Sequence, residues 1–169
     1  MYRRISRSWP LLPLLATLGP ASGALGEDCV LNGNPACATA VNLGNIAGDA
    51  ESPVITRTGV GEAYFTLRVV ESSSAHPRAL NARVTLQVPP RQDYDLVVRC
   101  ASCTSTVIQT SKLGPGSTEQ VAVTRADTFA DNSFTVLIEI RFQSGTSCSP
   151  WTLTIGGNAP ASKTALTCS

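Results

Sequence analysis

A two-residue period of apolar side chains, starting near Val54 and recurring through Ile155, limits what this chain can fold into more than any other feature. Phe134, Val136, Ile138, Ile140 and Phe142 occupy every second position of one unbroken stretch. Successive side chains of an extended strand point to opposite faces, so this spacing gathers the five on one surface, whereas a helix would scatter them. The alternation returns at Ala63, Phe65, Leu67 and Val69, at Leu80, Ala82, Val84, Leu86 and Val88, and at Tyr94, Leu96 and Val98. Val121 with Val123, and Trp151 with Leu153 and Ile155, repeat it. Between these runs lie Ser72-Ser73-Ser74-Ala75-His76-Pro77, Pro89-Pro90-Arg91-Gln92, Leu113-Gly114-Pro115-Gly116 and Gln143-Ser144-Gly145, all rich in turn formers. No amphipathic helical pattern of useful length interrupts them. Seven or so half-buried strands, with no helices to carry parallel crossovers, predict an all-β, antiparallel two-sheet β-sandwich of jelly-roll-like form.

The first residues speak of compartment. Arg3, Arg4 and Arg7 precede an apolar stretch from Trp9 to Leu18, and the small residues Ala21-Ser22-Gly23-Ala24 follow it. This is the layout of a secretory signal peptide over residues 1–24, with cleavage after Ala24. The stretch is broken by Pro10 and Pro13 and falls well short of the roughly 20 apolar residues that span a bilayer, so no membrane span is expected. Cleavage removes three arginines and no acids, leaving ten basic and twelve acidic side chains and a net charge of −2. Charges scattered singly at that balance supply no basic patch for phosphates, which argues against nucleic-acid partners. The expected location is secreted, periplasmic or cell-surface.

Six cysteines, Cys29, Cys37, Cys100, Cys103, Cys148 and Cys168, in an exported chain read as a disulfide framework. Six allow many connectivities, and local spacing points to Cys29–Cys37, Cys100–Cys103 and Cys148–Cys168. Residues 25–52, rich in Gly, Asn, Ala and Asp, read as a disulfide-held N-terminal extension with one short helical turn around Ala38 to Asn42. Residues 53–169 then form the sandwich domain.

Candidate chemistry is sparse. Cys100-Ala101-Ser102-Cys103 has the spacing of a thiol–disulfide oxidoreductase pair, but it ends a strand, and no helix follows whose dipole would lower the thiolate pKa. A structural clip is the preferred reading. His76 is the single histidine, which removes two-histidine zinc sites and leaves a Ser-His-Asp triad dependent on a Pro-flanked loop. Asp93 and Asp95 flank Tyr94, so on a strand their carboxylates share a face about 7 Å apart. Asp49 and Glu51 form a second acidic pair before the first clear strand. These four acids read either as solvated loop and strand-end groups or as calcium ligands, since calcium takes carboxylate and carbonyl oxygens. Most aromatics fall on apolar-facing positions, and Tyr64 and Tyr94 are the candidate binding-surface rings.

Several segments, read in order, resemble the bacterial pre-peptidase C-terminal domain. They are Ala40-Val41-Asn42-Leu43-Gly44-Asn45-Ile46-Ala47-Gly48-Asp49, Gly61-Glu62-Ala63-Tyr64-Phe65-Thr66-Leu67-Arg68-Val69, Asp93-Tyr94-Asp95-Leu96-Val97-Val98 and Trp151-Thr152-Leu153-Thr154-Ile155. The likeness spans about residues 38–157, and its most specific piece is the Asp-Tyr-Asp-Leu strand. It implies a jelly-roll-like sandwich that accompanies secreted peptidases and is not catalytic, some members binding calcium, collagen or polysaccharide. Gly61-Glu62-Ala63 stands where the family often carries an acidic pair. The resulting expectation is a stand-alone, secreted, non-enzymatic binding or accessory module for a protein or polysaccharide surface, with calcium its only candidate cofactor. The competing expectations are a thiol–disulfide oxidoreductase using Cys100 and Cys103, and a structural envelope or matrix protein.

Overall fold

A computed structural model describes residues 36–72, 78–126, 131–145, 148–160 and 164–168. The signal-peptide stretch, Cys29 and His76 lie outside these residues. The described chain opens on a 3-10 turn, Cys37–Thr39, and continues through ten strands. They are β1 (Val41–Ala47), β2 (Ile55–Gly59), β3 (Ala63–Val70), β4 (Leu80–Gln87), β5 (Gln92–Cys100), β6 (Ile108–Ser111), β7 (Thr118–Arg125), β8 (Phe134–Gly145), β9 (Trp151–Gly157) and β10 (Leu166–Thr167). No α-helix occurs among the described residues.

Two five-stranded sheets form, ordered β1-β3-β8-β5-β6 and β10-β7-β4-β9-β2. Their facing surfaces carry the alternating residues read from the sequence. Leu67, Val69, Val136, Ile138 and Ile140 of the first sheet meet Val84, Leu86, Val121, Leu153 and Ile155 of the second in one core. Phe65 and Trp151 meet across it edge to face, ring centroids 6.2 Å apart. The all-β two-sheet sandwich expected from the period is what forms, and its interior strands pair antiparallel. Two of the four edge pairs depart from that rule: β1 lies parallel to β3, and β10 parallel to β7, while β6 and β2 pair antiparallel.

β1 occupies part of the stretch read as an extension. Its burial has no two-residue period, because only Leu43 and Ile46 are covered and the pairing with β3 slips between Asn42 and Asn45. Gly44, at φ +89, sits in that slip. The expected helical turn is correspondingly shorter and earlier, ending at Thr39. After β1 the chain crosses between layers at Gly48, whose N–H donates to Val70 of the first sheet and whose carbonyl accepts from Asn81 of the second. A Cβ there would stand 2.7 Å from Val69 Cγ1 and 2.8 Å from Leu80 Cβ, so only glycine fits the crossing.

Phe142 corrects the expected core face of β8. It is 40 % exposed, packed edge to face on Tyr94 with centroids 5.2 Å apart, beside the register shift at Asp93 and Tyr94 where β8 runs out of the sandwich.

The disulfides overturn all three pairings suggested by spacing. Cys37 joins Cys103 and Cys100 joins Cys168, with Cα separations of 6.0 and 5.5 Å and sequence separations of 66 and 68. Cys148 is disulfide-bonded as well. The reason is parity: Cys100 shares the inward face of Leu96 and Val98 and is buried, whereas the chain turns outward at Ala101, at φ +68, and leaves Cys103 exposed. Cys100 therefore meets Cys168, which is tied to β7 through its N–H to Thr124, and their bridge staples one sheet to the other. Cys103 instead clips the β5–β6 turn to the 3-10 turn ahead of β1.

Candidate functional site

The alternation that fills the core sends the intervening residues outward, and on the first sheet these are mostly charged. β3 contributes Tyr64, Thr66 and Arg68, β8 contributes Leu137, Glu139 and Arg141, and β5 contributes Asp95, Val97 and Arg99. Register brings them into rows. Tyr64, Glu139 and Val97 stand side by side, Arg141 lies opposite Asp95, and Leu137 lies opposite Arg99.

Glu139 is the hub. Its Oε1 accepts from Arg141 Nη2 at 2.8 Å, Arg141 Nε at 2.9 Å and Tyr64 Oη at 3.2 Å. Arg99 Nη2 approaches its Oε2 at 3.5 Å. Although it faces away from the core, Glu139 is only 5 % exposed, and the neighbouring Val97 and Leu137 are covered as well. Removing a carboxylate from water costs several kcal/mol unless donors replace the lost hydration, and a guanidinium fork is the donor best matched to it. The electrostatics agree. Burial raises the Tyr64 phenol above its usual pKa, with the Glu139 charge and hydrogen bond adding to it. Its hydrogen bond to Glu139 holds the Arg141 guanidinium still more firmly protonated against the opposing effect of burial. By contrast the Arg68–Asp131 pair, at 3.5 Å with both side chains more than half exposed, is an ordinary solvated contact.

Asp95 adjoins this hub. It is buried and accepts from Gln143 Nε2 at 2.9 Å, while Asp93 is half-buried beyond the register shift. Asp49 lies elsewhere, buried past the Val70 end of β3, with its carboxylate accepting from Ser72 N at 3.0 and 3.1 Å and from Ser72 Oγ at 2.7 Å. Glu51 is exposed. The rows place Asp95 level with the Ala63 end of β3, so about 20 Å of strand separates the two acidic groups. The structure does not bring the four acids together, and among the described residues no group of three or more His, Cys, Asp or Glu could hold a metal ion.

Of the two candidate surface rings, Tyr64 reaches solvent in part and Tyr94 does not. Tyr94 is 2 % exposed, faces the core with Leu96 and Val98, and its hydroxyl accepts from the Gly61 N–H at 3.1 Å. Sequence reasoning missed Glu139, Arg99 and Arg141. The signal was there: Glu139 lies between Ile138 and Ile140, so it must face opposite to them, and Arg141 two residues on shares that face.

The outer face of the second sheet is different in kind. Thr56 and Thr58 of β2, Thr152 and Thr154 of β9, Thr85 and Gln87 of β4, and Thr118 and Gln120 of β7 stand in register there, with Arg83 of β4 on the same face.

Comparison of the chain with protein-family models gives no match, and comparison with curated proteins gives none either.

Proposed function

We propose that this chain is an exported, non-catalytic β-sandwich module, of the pre-peptidase C-terminal kind its sequence resembles, that recognises a protein or polysaccharide surface. The observation that carries the reading is the Glu139 hub. Two arginines and a tyrosine are fixed by one covered carboxylate on a disulfide-stapled sheet, so their free edges present donors in a set geometry. Preorganisation of that kind lowers the ordering cost of binding, and Arg and Tyr are the residues that anchor protein surfaces. The disulfide framework fits an oxidising compartment, and no described helix is long and apolar enough to cross a membrane. Calcium forms no part of the proposal, because Asp49 and Asp95 stand at opposite ends of the sheet. Neither does the oxidoreductase alternative, because Cys100 and Cys103 belong to different bridges.

The test is co-sedimentation of the mature, oxidised protein with insoluble cellulose, chitin, peptidoglycan and fibrillar collagen. Retention on one of these that falls at least about tenfold in an Arg99→Ala, Arg141→Ala variant supports the reading. Retention unchanged by that variant removes the first sheet from recognition. Sedimentation without any matrix favours the structural envelope or matrix protein instead.

A further inference from the structure

The two described bridges differ in a property that governs thiol–disulfide exchange. Cys100 and Cys168 are 7 % and 2 % exposed, inside the core, whereas Cys103 is exposed and Cys37 is half-buried. An attacking thiolate must reach a sulfur along the S–S axis, so access separates labile from inert disulfides. The Cys37–Cys103 bridge also ties down a part of the molecule that buries little of itself. The 3-10 turn buries no side chain, and Val41 and Asn42 are exposed. The first half of β1 meets β3 only through Val41 opposite Phe65 and Asn42 opposite Thr66, before the register breaks. Beyond the break the chain is secured independently, by buried Ile46 and by the hydrogen bonds of Gly48 to both sheets.

We infer that Cys37–Cys103 is a thiol-exchange site, opened by external dithiols while Cys100–Cys168 stays closed, and that its opening loosens Ala36 to Asn42 from the edge of β3. A dithiol's thiolate attacks the exposed Cys103 sulfur, the S–S bond breaks, and Cys37 leaves with the electron pair and takes a proton from solvent. The second thiol of the reductant then attacks the mixed disulfide, releasing Cys103 as a thiol and leaving the reductant as its cyclic disulfide. Two electrons pass to the protein. The loosened stretch uncovers the backbone of β3 at Thr66, an edge that can accept another extended strand.

The experiment titrates the native, oxidised protein with dithiothreitol, traps thiols with iodoacetamide, and reads each cysteine by peptide mass spectrometry alongside amide hydrogen exchange. Cys37 and Cys103 should be alkylated together at dithiothreitol concentrations at least about tenfold below those that open Cys100–Cys168. Exchange should rise over residues 36–42 and at Thr66, whose N–H faces β1, with Val98 and Ile138 still protected. Simultaneous opening of both bridges, or exchange that stays unchanged after Cys37 and Cys103 are alkylated, overturns the proposal. A Cys37→Ser, Cys103→Ser variant should fold and show the raised exchange without reductant, and its failure to fold would overturn the proposal too.

Discussion

Gly61 is gripped from two sides, and removing one grip is a measurable perturbation. Its carbonyl accepts from Trp151 Nε1 at 2.9 Å, and its N–H donates to the Tyr94 hydroxyl at 3.1 Å. Gly61 is buried and holds φ +76, so this peptide cannot turn to water for a replacement partner. Tyr94→Phe keeps the ring and its edge contact with Phe142 but strands the Gly61 N–H. An orphaned buried donor costs about 1–3 kcal/mol, and relief of the hydroxyl's own desolvation offsets part of it, leaving a net loss of about 1–2 kcal/mol. For a domain of this size that corresponds to a fall in Tm of about 3–6 °C. The assay is urea unfolding of the oxidised protein, where the midpoint should drop at constant m-value. Alkali supplies a second reading. Burial raises the Tyr94 phenol above its ordinary 10.0, and the Gly61 N–H opposes that shift without cancelling it. The folded state therefore keeps the proton longer than the unfolded state. The stability this contributes is complete below pH 10 and is lost as pH rises through the folded-state pKa. The phenylalanine variant lacks that loss, so its deficit should narrow above pH 10. Equal stability at pH 7, or a deficit that does not narrow in alkali, would refute the argument.

Other substitutions test separate parts of the fold. Cys100→Ser with Cys168→Ser opens a loop of 68 residues and should lower stability by about 4 kcal/mol in the chain-entropy account, read as a fall in urea midpoint. Gly48→Ala forces a methyl against Val69 and Leu80 at the crossing between sheets and should cost about 2 kcal/mol by the same measurement. Glu139→Gln preserves shape but leaves Arg99 and Arg141 without their anion. With those side chains 21 % and 38 % exposed, solvent limits the loss to about 1–2 kcal/mol, and a loss no larger than that of Asp131→Asn would show the hub to be an ordinary surface contact.

What could be read from the sequence was whatever obeyed a local rule. Strand faces followed from parity alone, so Leu67, Val84, Ile138 and Ile155 were identifiable as core without tertiary knowledge. Tyr94 obeyed the same rule, and its alternation with Leu96 and Val98 outweighs its reading as a binding-surface ring, since it lies inside. β1 was hidden because its slip at Gly44 destroys the period, and its burial comes from lying parallel to a strand that begins some twenty residues later. The Glu139 hub was half legible: parity put Glu139 and Arg141 on one outer face, but only the register of β8 against β3 and β5 adds Tyr64 and Arg99. Disulfide partners were beyond reach, since Cys100–Cys168 depends on the two sheets meeting and Cys37–Cys103 on distant turns of the first sheet coming together, over separations of 68 and 66 residues.

Those separations bear on how the protein is made. In the unfolded, reduced chain Cys100 and Cys103 are three residues apart, and closing so short a loop is favoured over closing one of 68 residues on the order of a hundredfold by chain statistics. Oxidation that outruns folding will therefore join the two neighbours first and strand Cys37 and Cys168. The mature topology is then reached by exchanging that early bridge for two distant ones once the sheets have met. Yield in an oxidising compartment should accordingly be set by isomerase capacity rather than by oxidant. The bridge that spacing suggests is the molecule's most accessible kinetic trap.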